Sequence, residues 1–537
     1  MGLNQALGIA ASGLFAIQKQ LAQASQNIAA ADIPATTRKR VAVASAVADG
    51  AGIGLRIGAT IRADDPALRA FLSRTSAEAS AASLRLAVLA EIDSVIGRPH
   101  EGTSLAGLVQ RLTDGFVALR ADPSSSIHQI ATVEAARDLA KQITVAAEAI
   151  QKGRQTAHDA LIATVRRGNE ALAELGQLNR RIVELSFAKQ PTAELEDTRD
   201  RLLLELSDLF GFRRLAQADG TVRVVSRNGL IIPERSDALA LDSATLAATS
   251  FYEAGNPLSS IPALRLNLGG GQMLEIAAAH MAGRAGEAFA LRDTTLPLMQ
   301  AELDEFAQKL ARRFDQQGLR LFSRPNGTLP VENATDQQGY IGFAREITVY
   351  PAILAEPRYV RDGTHAIPGG TPPPFPGGAP NASPLPSGAA FTPNPPGGPA
   401  AFDTLIRRIL DFALGPLRID IPLSSHSPEF RTTNLGPYPT PSLQLTSPLS
   451  VTARTTLFEY ATLMTSRHAA VTTAAAAAKD ATSAQRSLAE QKLADRVGIS
   501  VDREMALLVE LQNAYVANAR VMTAVQAMWD SLFAAVR

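Results

Sequence analysis

An unbroken apolar seam opens the chain and limits what it can fold into more than any other feature. Leu3, Leu7, Ala10, Leu14, Ile17, Leu21, Ala24 and Ile28 follow one another in alternating steps of four and three. That heptad spacing keeps one face of a helix against a partner helix. A second helical pattern runs from Val501 to Val536 with two neighbouring stripes. One stripe follows Met505, Leu508, Gln512, Tyr515, Ala519, Met522, Gln526, Trp529 and Phe533; the other follows Leu507, Leu511, Ala514, Asn518, Val521, Val525, Met528 and Leu532. Two adjacent stripes make a sector wide enough to meet more than one helix. The two end helices are each roughly 45–50 Å long. Antiparallel pairing of chain start and chain end therefore joins the termini and leaves the middle of the chain projecting as a loop of domains.

Charge placement sharpens this reading. Residues 1–31 hold one charged side chain, Lys19, on a face otherwise built from Asn4, Gln5, Ser12, Gln18, Gln20, Gln23, Gln26 and Asn27. A solvated helix is normally laced with Glu and Lys. An amide-rich face suits a helix enclosed by neighbours, where an unpaired charge is costly. Outside an assembly, such end helices are expected to lack enough partners to stay ordered.

Several function classes are excluded or disfavoured by composition. The 52 Lys and Arg residues balance 52 Asp and Glu, so no overall basic field draws in nucleic acid or anionic lipid. Cysteine is absent, which removes disulfides, thiolate zinc sites and cysteine nucleophiles. No run of about 18 apolar residues lacks a polar interruption, so membrane insertion is not expected. No Lys or Arg precedes Lys19, so the start of the chain lacks the basic region of a cleaved signal peptide. At 537 residues, the chain is long enough for several domains.

No catalytic, cofactor or metal constellation is expected. His100-Glu101 is followed by Ser104 where a zinc-protease helix needs a second histidine, and the seven histidines are scattered. Gly50, Gly52, Gly54 and Gly58 lack the buried strand and Lys-Ser/Thr pair of a phosphate loop. The segment Thr198-Arg199-Asp200-Arg201 reads as a solvated or interdomain charge cluster.

Between the ends, helices are expected from Asp65-Pro66, from Ser76 to Ile96, from Leu105 to Leu119, over 131–187 and over 192–209. Asp122-Pro123-Ser124 is expected to serve as a turn, Pro191 to sit near N1, and Gly211 to fall just past the last helix. Leu55, Ile57 and Ile61 suggest a short strand pair. Short alternations with Asn228-Gly229 and Gly269-Gly270-Gly271 turns suggest a small β-rich region over 222–276. A helix over about 287–318 interrupts it, and Ile347, Val349 and Ile353 return to extended structure. Residues 366–400, with Pro372-Pro373-Pro374, read as a surface loop. A helix over Phe402–Leu414 and an alanine-rich helix over about 455–494 follow.

Ser12-Gly13-Leu14 and Ser25-Gln26-Asn27-Ile28-Ala29-Ala30-Ala31, ending at Pro34, resemble the N-terminal signature of bacterial flagellar axial proteins. That signature commonly continues Thr-Pro-Gly-Tyr, and here Ile33-Pro34-Ala35-Thr36 departs from it. Glu510-Leu511-Gln512-Asn513-Ala514-Tyr515-Val516-Ala517-Asn518-Ala519-Arg520 is similar to the partner signature of the same superfamily. The long helical stretch after the first helix, with Glu194 to Leu202, and Arg292-Asp293-Thr294-Thr295-Leu296-Pro297 with Phe314-Asp315-Gln316-Gln317-Gly318, resembles the family of hook-associated protein 1, the first of two junction proteins between hook and filament. The likeness covers nearly residues 1–230, 280–360 and 450–537.

The resemblance implies a mainly α fold with β-rich insert domains: an elongated axial protein with coiled-coil ends, a helical bundle next, and outward β-containing domains. The divisions expected are 1–50 with 495–537, 51–215 with 450–494, 216–360, and a variable 361–449. It implies a structural adaptor at the hook–filament junction, extracellular, exported without a cleaved signal peptide and needed for filament attachment. Implied partners are copies of itself in a ring or helical layer, the hook protein, the second hook-associated junction protein, and an export chaperone on the C-terminal helix. The assembly interface expected comprises Leu3, Leu7, Leu14, Ile17, Leu21, Asn27, Ile28, Met505, Leu508, Leu511, Gln512, Tyr515, Asn518, Met522, Met528, Trp529 and Leu532. The alternatives are another axial component (hook, rod or flagellin-like) or an enzyme domain carried on such a scaffold.

Overall fold

The computed structural model describes residues 2–33, 36–48, 51–97, 102–330, 340–364, 394, 397–415, 430–431, 434–437, 444–446, 449, 451–452 and 455–536. His100, Glu101 and most of the Pro/Gly-rich stretch lie outside these residues. The chain is mainly α-helical with small antiparallel sheets.

Helix α1 (Gly2–Ala29) leads into a long antiparallel hairpin, β1 (Lys39–Ala48) and β2 (Ala51–Arg62), which folds back along α1. Both strands pack on the helix, and the Ser12 hydroxyl accepts a hydrogen bond from the Leu55 N–H at 3.0 Å. The expected strand pair is therefore real but begins at Lys39. The first strand, Lys-Arg-Val-Ala-Val-Ala-Ser-Ala-Val-Ala, alternates valine with alanine, and alanine carries little strand preference. The domain boundary expected at residue 50 falls between these two strands, outside the described residues.

The body is a helical bundle: α2 (Pro66–Ile96), α3 (Leu105–Ala121), α4 (Ser126–Phe187), α5 (Ala193–Phe210) and the returning α11 (Leu457–Val497). Caps set the boundaries. The side chains of Asp65, Ser104, Ser125 and Thr456 each accept from a backbone N–H in the first turn, and Thr456 with Glu459 completes a capping box. Asp65 opens a single helix to Ile96, where two were expected; no breaker falls between Pro66 and Ser76 to end the first. Gly211 ends α5 in the left-handed conformation, as its position predicts. Thr192 occupies the N-cap of α5, which puts Pro191 one residue before the cap rather than at N1.

One continuous hydrophobic core runs from Leu84 to Ala475, through the bundle and through the stretch 216–360. Two three-stranded sheets, β3 (Arg213–Ala216), β4 (Val222–Val225) and β5 (Ile231–Ile232), and β6 (Leu239–Ala240), β7 (Arg265–Gly269) and β8 (Gln272–Glu275), lie beside α4. The Asn228-Gly229 and Gly269-Gly271 turns join strands as expected. The helix expected over 287–318 is α6 (Gly283–Ala290), a π-turn (Leu291–Thr295) and α7 (Leu296–Gln316). Pro297, which has no N–H to continue the ladder, falls at the start of α7.

Helix α7 runs through the core with Glu302, Asp304, Glu305, Lys309 and Arg313 all buried. Burial is tolerated because they are paired: Glu302 binds Arg467 and His468 of α11, and Glu305 accepts from the Tyr340 hydroxyl at 2.5 Å. Short elements complete the chain: β9 (Phe322–Ser323) paired with β10 (Thr348–Val349), α8 (Pro351–Ala355), α9 (Tyr359–Asp362), α10 (Thr404–Arg408), and the pair β11 (Asn434–Pro437) and β12 (Gln444–Thr446). Ile353, expected in a strand, is in α8, where Pro351 sets the first turn. Helix α12 (Val501–Val536) closes the chain against α1.

Candidate assembly surface and its anchoring cluster

The two ends of the chain meet as antiparallel helices within a single chain, so α1 has a partner for its seam where the sequence suggested it would lack one outside an assembly. Asn27 of α1 contacts Glu504 of α12, and Gly13 lies against Asn518; fourteen residues separate the two contacts on each helix, in opposite directions. Gly13 is a point of close approach. A Cβ there would sit 3.4 Å from the Asn518 side-chain oxygen.

Along α1, Ala10, Gly13, Leu14, Ala16, Ile17, Ala24 and Asn27 are buried, while Leu7, Leu21 and Ile28 are partly covered. Nothing is described for the Leu3 side chain. On α12 the covered line runs between the two expected stripes and borrows from both. Glu504, Leu511 and Val525 are buried, and Leu508, Tyr515, Asn518, Met522 and Trp529 are partly covered. Met505, Gln512, Met528 and Leu532 are exposed. The covered line 504, 508, 511, 515, 518, 522, 525 and 529 is itself a heptad seam in steps of four and three, and it takes one column from each expected stripe.

Pairing leaves apolar side chains of α12 uncovered on both flanks of the paired line: Met505, Val509 and Val516 on one, Val521 and Met528 on the other, with Leu532 and Phe533 exposed near the C-terminal end and Ile9 and Phe15 open on α1. Scattered exposed apolar residues are ordinary, but this many on one helix mark an interaction surface. Trp529 and Phe533 stack at 5.4 Å between centroids near the end of α12.

Where the helix pair meets the bundle, a charged cluster is buried. The Asn27 side-chain amide donates to the Lys39 carbonyl at 2.8 Å and to Glu504 at 3.0 Å, while its oxygen accepts from the Lys39 N–H at 3.3 Å. Arg38 donates to the other Glu504 oxygen at 2.6 Å. The Lys39 ammonium reaches Asp197 of α5 at 3.0 Å and Glu194 at 2.6 Å. Asp197 also accepts from Thr37 and from Arg62, which bonds Glu196 and Asp200 as well. Burial works to lower the Arg62 pKa, yet Asp200, Glu196 and Asp64 outweigh it and hold the guanidinium above its ordinary value. Arg199, also buried, is shifted down by desolvation despite Asp200 and Glu196.

Thr198-Arg199-Asp200-Arg201 thus divides. Asp200 joins the interdomain network, while Arg201 stays exposed and bonds the Thr198 hydroxyl. The central role of Lys39, Arg62 and Asp197 was not read from the sequence. The only signal was a pair of basic residues flanking a strand pair opposite an acidic helix start.

Elsewhere, a groove of about 1130 Å³ under α2 has Phe71, Phe212 and Met281 at its floor and Arg74, Arg213 and Arg227 at its rim. Among the described residues, no three His, Asp or Glu side chains converge on a metal-sized site, and no helix is long and apolar enough to cross a membrane.

Residues 89–325 match the family of the flagellar hook-associated protein FlgK helical domain, and residues 495–534 match the C-terminal family of the flagellar basal body rod FlgEFG proteins. Together the two matches support a flagellar hook-associated protein of the FlgK kind. The FlgK family is a structural one and forms part of the flagellar exterior. The first stretch runs from the end of α2 through α3–α7 with the inserted sheets, and the second covers the end helix α12. A solved structure, the flagellar hook junction protein FlgK from Burkholderia pseudomallei, is similar at 22% identity and a TM-score of 0.39, over 48% of this chain and 45% of that one. The alignment thus spans less than half of that protein's length. A search among curated proteins finds no match.

Proposed function

We propose that this chain is a structural adaptor subunit at the hook–filament junction, which assembles through its paired end helices and is needed for filament attachment. The observation that carries this reading is the set of apolar side chains that α12 leaves uncovered beside the line that α1 covers, Val509 and Val516 on one flank and Val521 and Met528 on the other. A helix with apolar side chains open on both flanks of a covered seam can meet further helices in a larger coiled-coil layer. Heterologous contacts of this kind propagate into rings or helical layers of identical subunits.

In this scheme the end helices and hairpin form the assembly unit, the bundle of α2–α5 and α11 forms the shaft, and the β-containing part of 216–360 faces outward. Neighbours are copies of the chain, the hook protein on one side and the second hook-associated junction protein on the other. Before assembly, an export chaperone covers the open flanks of α12, and the chain is exported with its N-terminal helix intact. Its work is mechanical: it joins a curved hook to a stiffer filament and requires no catalysis.

Deletion of the gene tests the proposal. Cells are expected to build hooks, lack filaments and shed filament protein into the medium, and the full-length chain should restore filaments. Loss of hooks as well would reassign the chain to the rod. Intact filaments in the deletion strain would refute the junction role.

A further inference from the structure

The end-helix seam has a physical weakness that its polar contacts repair. On α1, Leu7, Leu14, Leu21 and Ile28 repeat every seven residues, as do Ala10, Ile17 and Ala24. On α12, Leu508, Tyr515, Met522 and Trp529 repeat every seven, and so do Leu511, Asn518, Val525 and Leu532. Sliding one helix past the other by a heptad, about 10 Å, again sets apolar residues against apolar residues. Shape and hydrophobicity alone leave these alignments close in energy, as in coiled coils that depend on a buried polar residue to choose among them.

Glu504 breaks the degeneracy. It is fully buried in the first turn of α12, and its two oxygens are met by Asn27 and Arg38. Asn27 is suited to this place because its amide donates to Glu504 and to the Lys39 carbonyl while its oxygen accepts the Lys39 N–H. An aspartate there would set a second carboxylate against Glu504. A seven-residue slip moves Glu504 opposite Gln20 or Pro34, away from both donors, and leaves a buried carboxylate without its partners. Lys39 then ties Asn27, through Asp197, to the bundle, so the chosen alignment is also fixed relative to the body.

We propose that the Asn27–Glu504 contact, completed by Arg38, is a register lock that selects one alignment of the two end helices from those their heptad repeats permit. Asn27 and Glu504 are positioning residues. They set which apolar side chains are left open, and the inference stands whether or not those side chains build the hook junction.

The absence of cysteine allows a direct test in the full-length protein, because introduced pairs are the only thiols. Gly13→Cys with Asn518→Cys reports the observed alignment, and Gly13→Cys with Leu511→Cys reports a one-heptad slip. With Asn27 and Glu504 intact, mild oxidation should crosslink the first pair and leave the second largely reduced. In the background of Asn27→Leu with Glu504→Leu, helix content should persist while the ratio of first to second crosslink falls by about tenfold or more, since the apolar pair no longer distinguishes alignments. Glu504→Gln, which can still bond Asn27, should retain most of the selectivity. Exclusive formation of the first crosslink in the double-leucine background would overturn the proposal. So would loss of both crosslinks, because the pair would then supply cohesion rather than alignment.

Discussion

Substitution of Leu14 by aspartate offers the most direct measure of how the end helices are held. Leu14 is buried at the centre of the α1 seam, opposite the stretch of α12 around Asn518. The large apolar side chains fully covered in this pairing are few: Leu14 and Ile17 on α1, Leu511 and Val525 on α12. At about 1.5–3 kcal/mol each, they contribute roughly 6–12 kcal/mol before the entropy of ordering the helices is subtracted. Leu14→Asp removes about 2–3 kcal/mol of that and introduces a carboxylate that costs several kcal/mol more if it stays buried. The cheaper response is separation of the helices. Amide exchange followed by mass spectrometry should show α1 losing protection over residues 7–24 by at least about a hundredfold, since each 1.4 kcal/mol is a factor of ten. Leu139 and Ile143 in the bundle should exchange as before, because the core of α4 does not depend on α1. Leu14→Met, close in volume, should leave α1 protected. Undiminished protection of α1 in Leu14→Asp would refute the reasoning, because it would mean that residue 14 is not in a dry seam.

Other expectations concern the anchoring cluster, the bundle and pH. Asp197→Ala strips the nearly buried Lys39 of its buried partner and leaves it only Glu194, whose side chain is 78% exposed; a loss of about 3 kcal/mol is expected by denaturant titration. Lys39→Met with Asp197→Leu should be less damaging than Asp197→Ala alone, because it removes both charges together. Two glycines of α4 should respond differently to alanine. At Gly168 a Cβ would stand 2.1 Å from the fully buried Phe210 ring, so overpacking should exceed the gain in helix propensity and lower stability by about 1–2 kcal/mol. At Gly153 the nearest atom is the terminal methyl of Ile92, which can turn away, so the change should stay within about 0.5 kcal/mol of zero; thermal melting separates the two cases. Burial pushes the Asp304 carboxyl up from 3.8 to about 7, against the Ala344 and Gly342 N–H groups that favour its charge. The folded state therefore holds this proton over a range where the unfolded chain has lost it, and the stability it contributes disappears as pH rises through about 7. Melting temperature should fall from pH 5 to pH 8, and Asp304→Asn should flatten that slope.

Much of the architecture was legible because it follows local rules. Heptad spacing announced both end helices, Asp65-Pro66 and Leu105 announced helix starts, and Gly211 announced an end, whereas the helix expected from 131 begins at Ser126 under the Ser125 cap. The strand from Lys39 was missed because Ala and Ser occupy half its positions. The π-turn between α6 and α7 was missed because the apolar pattern runs across it without a break. The charged residues of α7 give no warning of their burial, because a pattern of Glu, Asp, Lys and Arg reads as solvated until the partners on α11 and at Tyr340 are in place.

By itself, the sequence determined that both ends are helices with a sticky side, since side-chain periodicity is set by the 3.6-residue turn and needs no distant contact. Which side each helix spends on the other, and which it leaves open, was decided only by the tertiary structure. That choice depends on where Glu504 meets Asn27 and Arg38, and on how Lys39 and Arg62 fasten the hairpin to Asp197. Those residues lie far apart in the chain. Burying a charge is favourable only when its partners arrive together, so the pairing has no local signature from which it could be read.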